Sequence, residues 1–190
     1  MKRRILGEGL STPQYAVIAL WALNLGIIFY IWTTSSLSLL SGGVGGVLLA
    51  LGRLVGLLVA YFALVQFMLL GRVLWIERPF GLDRLALVHR YNGYATFFAL
   101  LLHSSLIVLA YSINSGTNYF QQYLVLIQQF PYVWMAVIAQ FLFILVVATS
   151  AYIVRRHLKF ETWYWVHLLV YAAIVLAFFH QFALGGSLNG

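Results

Sequence analysis

Five long apolar segments alternate with shorter polar or glycine-rich connections along the chain. A helix needs about 17–25 apolar residues to cross the hydrocarbon core of a bilayer, and each segment reaches that length. The pattern therefore predicts an all-α, polytopic transmembrane helix bundle that forms one domain over residues 1–190. The predicted spanning helices are about 15–32, 47–70, 85–111, 133–154 and 162–182.

The four connections differ in composition. Residues 33–46 are small and polar and include a run of glycines, and residues 71–84 are charged and contain Pro79. Residues 112–130 are long, uncharged and rich in side-chain amides, whereas residues 155–159 form a short basic turn. These features predict loops that separate the helices.

The composition places most of the surface in contact with lipid. Hydrophobic residues are 63% of the chain and charged residues 8%, whereas a soluble domain is about 25% charged. The start at Met1, with Lys2, Arg3 and Arg4, resembles that of a signal peptide, but the apolar run begins only near Tyr15. We therefore expect a retained first helix and an integral protein of the inner or plasma membrane.

The net charge of +7 arises mainly from connections on one side of the predicted bundle. Such a bias orients membrane proteins with the basic loops in the cytoplasm, which explains the charge without a nucleic-acid partner. It predicts a cytoplasmic N-terminus and a C-terminus outside. Arg53, just inside the second helix, departs from the pattern. The basic side carries Lys2, Arg3, Arg4, Arg72, Arg78, Arg84, Arg90, Arg155, Arg156 and Lys159.

Four of the five histidines lie in two predicted helices: His89 and His103 in the third, His167 and His180 in the fifth. Ionisable groups inside a bilayer are costly and usually functional. The spacings of 14 residues (89 to 103) and 13 residues (167 to 180) correspond to roughly 21 and 20 Å along a helix. Because the third and fifth helices run in the same direction, His89 is expected level with His167, and His103 level with His180.

Two histidines at one level suit the two axial positions of a haem iron. We therefore expect the bundle to enclose two stacked, non-covalent b-type haems that carry electrons across the membrane. The absence of cysteine excludes thiolate haem ligands and cysteine-bound iron–sulfur clusters. Ligands about 20 Å apart on one helix cannot share a single zinc or copper ion. The alternatives are interhelical hydrogen bonds or a proton path.

The helical angles support the third helix better than the fifth. Fourteen residues leave His89 and His103 about 40° apart around the axis, whereas thirteen leave His167 and His180 about 140° apart. The fifth helix would need tilt, a local distortion or ligands that reach from its flanks.

A glycine and several arginines near the two histidine levels could have either a structural or a functional role. Gly93, one turn after His89, either admits a flat macrocycle or packs against another helix. Arg53 either extends to the headgroups or meets a propionate or an anionic species near the outer level. Arg84 and Arg90 flank the inner level and could meet propionates, although the charge bias already explains them. His157 lies in the basic turn and is expected to be solvated.

These residues resemble the ferric reductase-like transmembrane domain of NADPH oxidases and ferric reductases. That family has a His-x13-His pair in its third helix and a His-x12-His pair in its fifth, as here, and residues 160–167 resemble its approach to the fifth helix. The resemblance implies that His89 and His167 hold the inner haem and that His103 and His180 hold the outer one. Residues 46–53 also resemble a family segment whose arginine lies beside the outer haem, which favours a functional Arg53.

Two differences from the family affect the expected partners. The family usually has a sixth helix, and many members continue into a cytoplasmic domain that binds FAD and NADPH, whereas this sequence stops after the fifth helix and has no flavin or nicotinamide fingerprint. We expect FAD and NADPH only on a missing domain or a partner flavoprotein dehydrogenase, with quinol as another possible donor. The acceptor is ferric iron, oxygen or a partner protein. The rival hypotheses are a quinol-linked haem subunit, a haem-free channel or transporter with histidine proton relays, and a structural anchor.

Overall fold

A computed structural model describes residues 10–184 of the chain, in which all regular secondary structure is helical. Five helices are long and apolar enough to span a membrane, which confirms the predicted fold class. They are α1 (Thr12–Ser36), α2 (Gly43–Leu70), α4 (Leu82–Ser115), α6 (Val133–Ser150) and α8 (Phe160–Leu184). Lys2, Arg3 and Arg4, which contribute to the predicted orientation, lie outside the described residues, as do residues 185–190.

Short helices occupy segments predicted as loops or as the end of a span. α1 continues into a 3-10 turn, Leu37–Ser41, and most of the glycine run that follows belongs to α2. The remaining short helices are α3 (Leu74–Phe80), α5 (Tyr119–Gln129) and α7 (Tyr152–Arg155). The predicted fourth helix thus ends at Ser150, because Ala151 adopts an extended conformation.

Local sequence signals explain where several helices begin and end. At the start of α1, the Ser11 amide donates a 2.8 Å hydrogen bond to Gln14 Oε1, as in a capping box. α4 lies between Gly81 and Gly116, both with positive φ, which glycine adopts without steric cost. The Asn118 side chain caps α5 by accepting from the Gln121 amide at 2.9 Å.

The spanning helices form two closely packed pairs, α2 with α4 and α6 with α8. Within the described residues, α4 makes only limited backbone contact with α6 and little with α8. Large apolar side chains such as Leu23, Tyr30 and Phe141 remain exposed on the outside, as expected for a surface that faces lipid. The histidine-bearing helices α4 and α8 therefore face each other across the junction of the two pairs.

The basic side is the end of the bundle where α2 and α6 finish and α4 and α8 begin. There α3 folds back so that Ile76, fully buried, contacts Val65, Leu69 and Leu85. Gln14 Nε2 donates to the Pro79 carbonyl at 2.8 Å, which joins α1 to α3. This cluster fixes the start of α4, seven residues before His89.

Replacing Ile76 with alanine is expected to destabilise the protein by about 2–5 kcal/mol, because it opens a cavity in this cluster. Thermal unfolding of the detergent-solubilised chain measures the loss. Leu74→Ala is the matched control, since Leu74 lies on the same short helix but is 57% exposed. Equal losses from the two substitutions would show that the Ile76 cluster does not anchor α3.

Candidate histidine pairs between α4 and α8

The four predicted histidines lie in α4 and α8, and each is partly buried. α6 separates these helices along the chain, so α4 and α8 run in the same direction. His89 and His167 lie near the beginnings of their helices on the basic side, and His103 and His180 lie towards the opposite end. His157 is exposed in the turn after α7, as the sequence predicts.

His89 and His167 form the inner pair. Their ring centroids are 6.3 Å apart and the ring planes are inclined by 44°. An imidazole nitrogen lies about 2 Å from a bound first-row metal and roughly 1 Å from its own ring centre, so two imidazoles on one metal have centres about 6 Å apart. The inner pair therefore has the spacing that a shared iron requires.

His103 and His180 form the outer pair, and they are close enough for a direct electrostatic interaction. His103 Nδ1 donates to the Gly52 carbonyl of α2 at 2.8 Å. His180 Nδ1 is buried and forms no hydrogen bond that meets geometric criteria among residues 10–184, although the Tyr132 backbone is close enough to interact with the ring. α8 is one continuous helix, so no local break accounts for the pairing of both its histidines with α4.

Three of the four histidines use Nδ1 for a hydrogen bond. His89 Nδ1 donates to the Gln66 carbonyl of α2 at 3.3 Å, and His167 Nδ1 is 3.2 Å from Ser150 Oγ at the end of α6. A hydrogen bond at one ring nitrogen fixes the tautomer and leaves the other nitrogen free for a metal. The hydrogen bonds of His89, His167 and His103 would therefore leave Nε2 of each ring available to a metal.

Sequence reasoning missed the contribution of α2 to both levels. The carbonyls of Gly52 and Gln66 are 14 residues apart, the same spacing as His103 and His89 on the antiparallel α4. Gly56 allows the close approach, since a Cβ there would lie 2.8 Å from His103 Cε1 and Nδ1. The glycines at 52 and 56 were the available signal, because small residues at this spacing favour close helix contact.

A polar cluster holds Gln66 in place, and the Gln66 carbonyl is the group that accepts the hydrogen bond from His89. Asn92 Nδ2 donates to Gln66 Oε1 at 2.7 Å and to the Phe62 carbonyl at 2.8 Å. A Cβ on Gly93 would lie 3.1 Å from Gln66 Nε2. Gly93 therefore faces α2, which matches the helix-packing interpretation, and a haem-binding role for Gly93 stays a prediction.

Arg53 follows Gly52 on α2 and so lies near the outer pair. Its side chain is partly buried and forms no ion pair or hydrogen bond within the described chain. An unpaired guanidinium inside a spanning helix attracts anions strongly. This environment is compatible with either a propionate or an anionic acceptor.

Among residues 10–184, no group of three or more histidine, aspartate or glutamate side chains could hold a metal ion. The candidate ligands meet as pairs, which suits a cofactor that brings its own equatorial ligands. Haem is such a cofactor, since its macrocycle leaves two axial positions for protein side chains.

The family model described as the ferric reductase like transmembrane component matches residues 55–178, which is more than half of the chain. The range includes His89, His103 and His167 and stops just before His180. No curated protein and no solved structure matches the chain. The chain is an integral membrane protein that belongs to the ferric reductase-like transmembrane component family.

Proposed function

We propose that this chain carries electrons across the bilayer through two b-type haems. His89 and His167 hold the inner haem, and His103 and His180 hold the outer one. The observation that carries the proposal is the 6.3 Å separation of the inner rings. They belong to two helices that make little direct contact, and both Nδ1 atoms already have hydrogen-bond partners.

Haem iron, when bound, supplies reversible one-electron chemistry. With two histidines at each iron, no coordination position would remain for a substrate, so these side chains favour electron transfer over reaction at the metal. α4 sets the separation of the two levels at roughly 21 Å along its axis, measured between ligand Cα atoms. Two relay centres at these heights divide the roughly 30 Å apolar core into shorter distances.

The charge distribution supports a direction for the transfer. Basic connections normally lie in the cytoplasm, so the inner pair would receive electrons there, from a flavoprotein dehydrogenase that binds FAD and NADPH or from quinol. The outer pair would deliver them to ferric iron, oxygen or a partner protein. Arg53 places an unpaired positive charge at this outer level, where it would attract an anionic acceptor or a propionate.

The purified full-length chain is expected to contain two haems per polypeptide. The difference between dithionite-reduced and oxidised absorbance spectra, together with chemical haem quantification, measures this ratio. The spectrum should be that of six-coordinate iron with two imidazole ligands and should not change on addition of carbon monoxide. A protein that stays colourless after haem supplementation during expression contradicts the proposal and favours a haem-free transporter or anchor.

A further inference from the structure

A cavity of about 380 Å³ lies on the basic side, beside the inner pair and outside it. Its lining residues come from the start of α4, the end of α6 and α7, and they are Arg90, Tyr91, Tyr94, Ser150 and Arg155. Arg90, Tyr91 and Tyr94 are turned by roughly 100–200° around α4 from His89. The cavity therefore opens on a different face of α4 from the one that meets His167.

The cavity carries two guanidinium groups without a carboxylate partner. Arg90 lies over the Tyr91 ring at 5.4 Å and Arg155 over the Trp163 ring at 4.6 Å. Arg155 also donates to the Leu158 carbonyl at 3.2 Å. The ion pair found among the described residues is between Arg72 and Glu77, and neither residue lines this cavity. The rings and the carbonyl orient both cations but do not neutralise them, so the cavity favours an oxyanion.

The position of the cavity points to the source of that oxyanion. Tyr91 is 61% and Tyr94 41% exposed on the outside of a spanning helix, as aromatic residues are at a membrane interface. Basic pockets between helices at this height bind the headgroups of anionic lipids. A phosphate between Arg90 and Arg155 would receive charge-assisted hydrogen bonds from both guanidiniums.

Ser150 connects the cavity to the inner pair. Ser150 lines the cavity, and its Oγ is 3.2 Å from His167 Nδ1 and accepts a 3.2 Å hydrogen bond from Trp163 Nε1. The Trp163 and His167 ring centroids are 5.1 Å apart. An anion that takes the Ser150 hydroxyl as a donor would alter the hydrogen bond at His167, and such bonds set the basicity of a ligating imidazole.

We propose that this cavity is a phosphate-binding site, filled by the headgroup of an anionic phospholipid or by a soluble phosphate compound, and that its occupancy adjusts the inner histidine pair through Ser150. Phosphate binding is independent of the proposed electron transfer. The effect on the inner haem rests on that proposed function.

The test uses the full chain in vesicles of phosphatidylcholine, with or without phosphatidylglycerol, and with added inorganic pyrophosphate. Bound phosphate is expected to raise the thermal unfolding midpoint by about 5 °C. A rise with phosphatidylglycerol alone identifies the lipid source, and a rise with pyrophosphate in phosphatidylcholine identifies a soluble one. No rise with either ligand overturns the site.

The double variant R90Q/R155Q is expected to lose this rise, whereas R78Q/R156Q, with the same change in charge at exposed positions on the same side, should keep it. Loss of haem from R90Q/R155Q together with no rise in the native chain would assign the cavity to the inner haem and overturn the proposal. The same rise in R90Q/R155Q as in the native chain would also overturn it.

S150A separates binding from its effect on the inner pair. The variant should keep the rise in unfolding midpoint but lose the phosphate-dependent shift in the midpoint potential of the inner haem. A potential that still responds to phosphate in S150A contradicts the Ser150 connection. A native chain without haem would leave the thermal result intact and would count against the proposed function alone.

Discussion

Replacing His89 or His167 with alanine is expected to remove the inner haem and leave the outer one, so that the haem content falls by about half. His103→Ala and His180→Ala should remove the outer haem in the same way. In the proposed arrangement two imidazoles share each iron, so the loss of one would leave an apolar slot with a single axial ligand. Haem quantification and the electron paramagnetic resonance spectrum of the oxidised protein measure which centre is lost.

Double substitutions make the pairing itself testable. His89→Ala with His167→Ala removes two ligands of one proposed haem and should cost no more haem than either single change, whereas His89→Ala with His103→Ala should remove both haems. Such non-additivity identifies groups that act on one site. His157→Ala is the control, because His157 is exposed in a turn. A haem content that falls equally for every pair of histidines would contradict the assignment of ligands by level.

The five spanning helices could be predicted because the requirement for them is simple. A bilayer demands long apolar segments whose backbone groups are satisfied internally, and this requirement is visible in residue type alone. α3 and α5 were not predicted, because neither is a long apolar segment. α5 is uncharged and amide-rich, and its amphipathic pattern is short, with Gln122 and Leu126 buried. α3 contains Pro79 in a charged segment and is held by tertiary contacts of Ile76.

The candidate site was predictable to the extent that it depends on helix direction and residue spacing. These two quantities place His89 level with His167, and the structure brings their rings together. The role of α2 could not be deduced in this way, because the acceptors for His89 and His103 are backbone carbonyls of Gln66 and Gly52. Every residue has a carbonyl, so only the packing of α2 against α4 determines which ones are used.

The cavity at Arg90 and Arg155 likewise could not be predicted from the sequence alone. Both arginines fit the charge bias that orients membrane proteins, and that bias was a sufficient explanation from sequence alone. The additional information is tertiary: the end of α6 brings Ser150 beside His167, and α7 places Arg155 over Trp163. α7 exists because the helix breaks at Ala151, within a segment that the hydropathy pattern predicts as continuous.

Gly56→Ala is expected to remove or strongly perturb the outer haem while the inner one is retained, although Gly56 itself offers no ligand. The added Cβ would lie 2.8 Å from two atoms of the His103 ring, so the ring or α2 must move. The ring is rigid, and its Nδ1 already donates to the Gly52 carbonyl at 2.8 Å. Movement would break that hydrogen bond and turn Nε2 away from the proposed outer haem iron. The ratio of outer to inner signals in the electron paramagnetic resonance spectrum measures the effect.

Gly26→Ala on α1 is the matched control, because a Cβ at Gly26 has nothing within 4 Å among the described residues. Both substitutions add one methyl group to a spanning helix and raise helix propensity by about the same amount, up to roughly 1 kcal/mol. A general effect of the methyl group would therefore appear in both variants, whereas an effect through His103 appears in Gly56→Ala alone. If Gly56→Ala keeps both haems with unchanged spectra, α2 does not control the orientation of His103, and the outer pair must be held from α8.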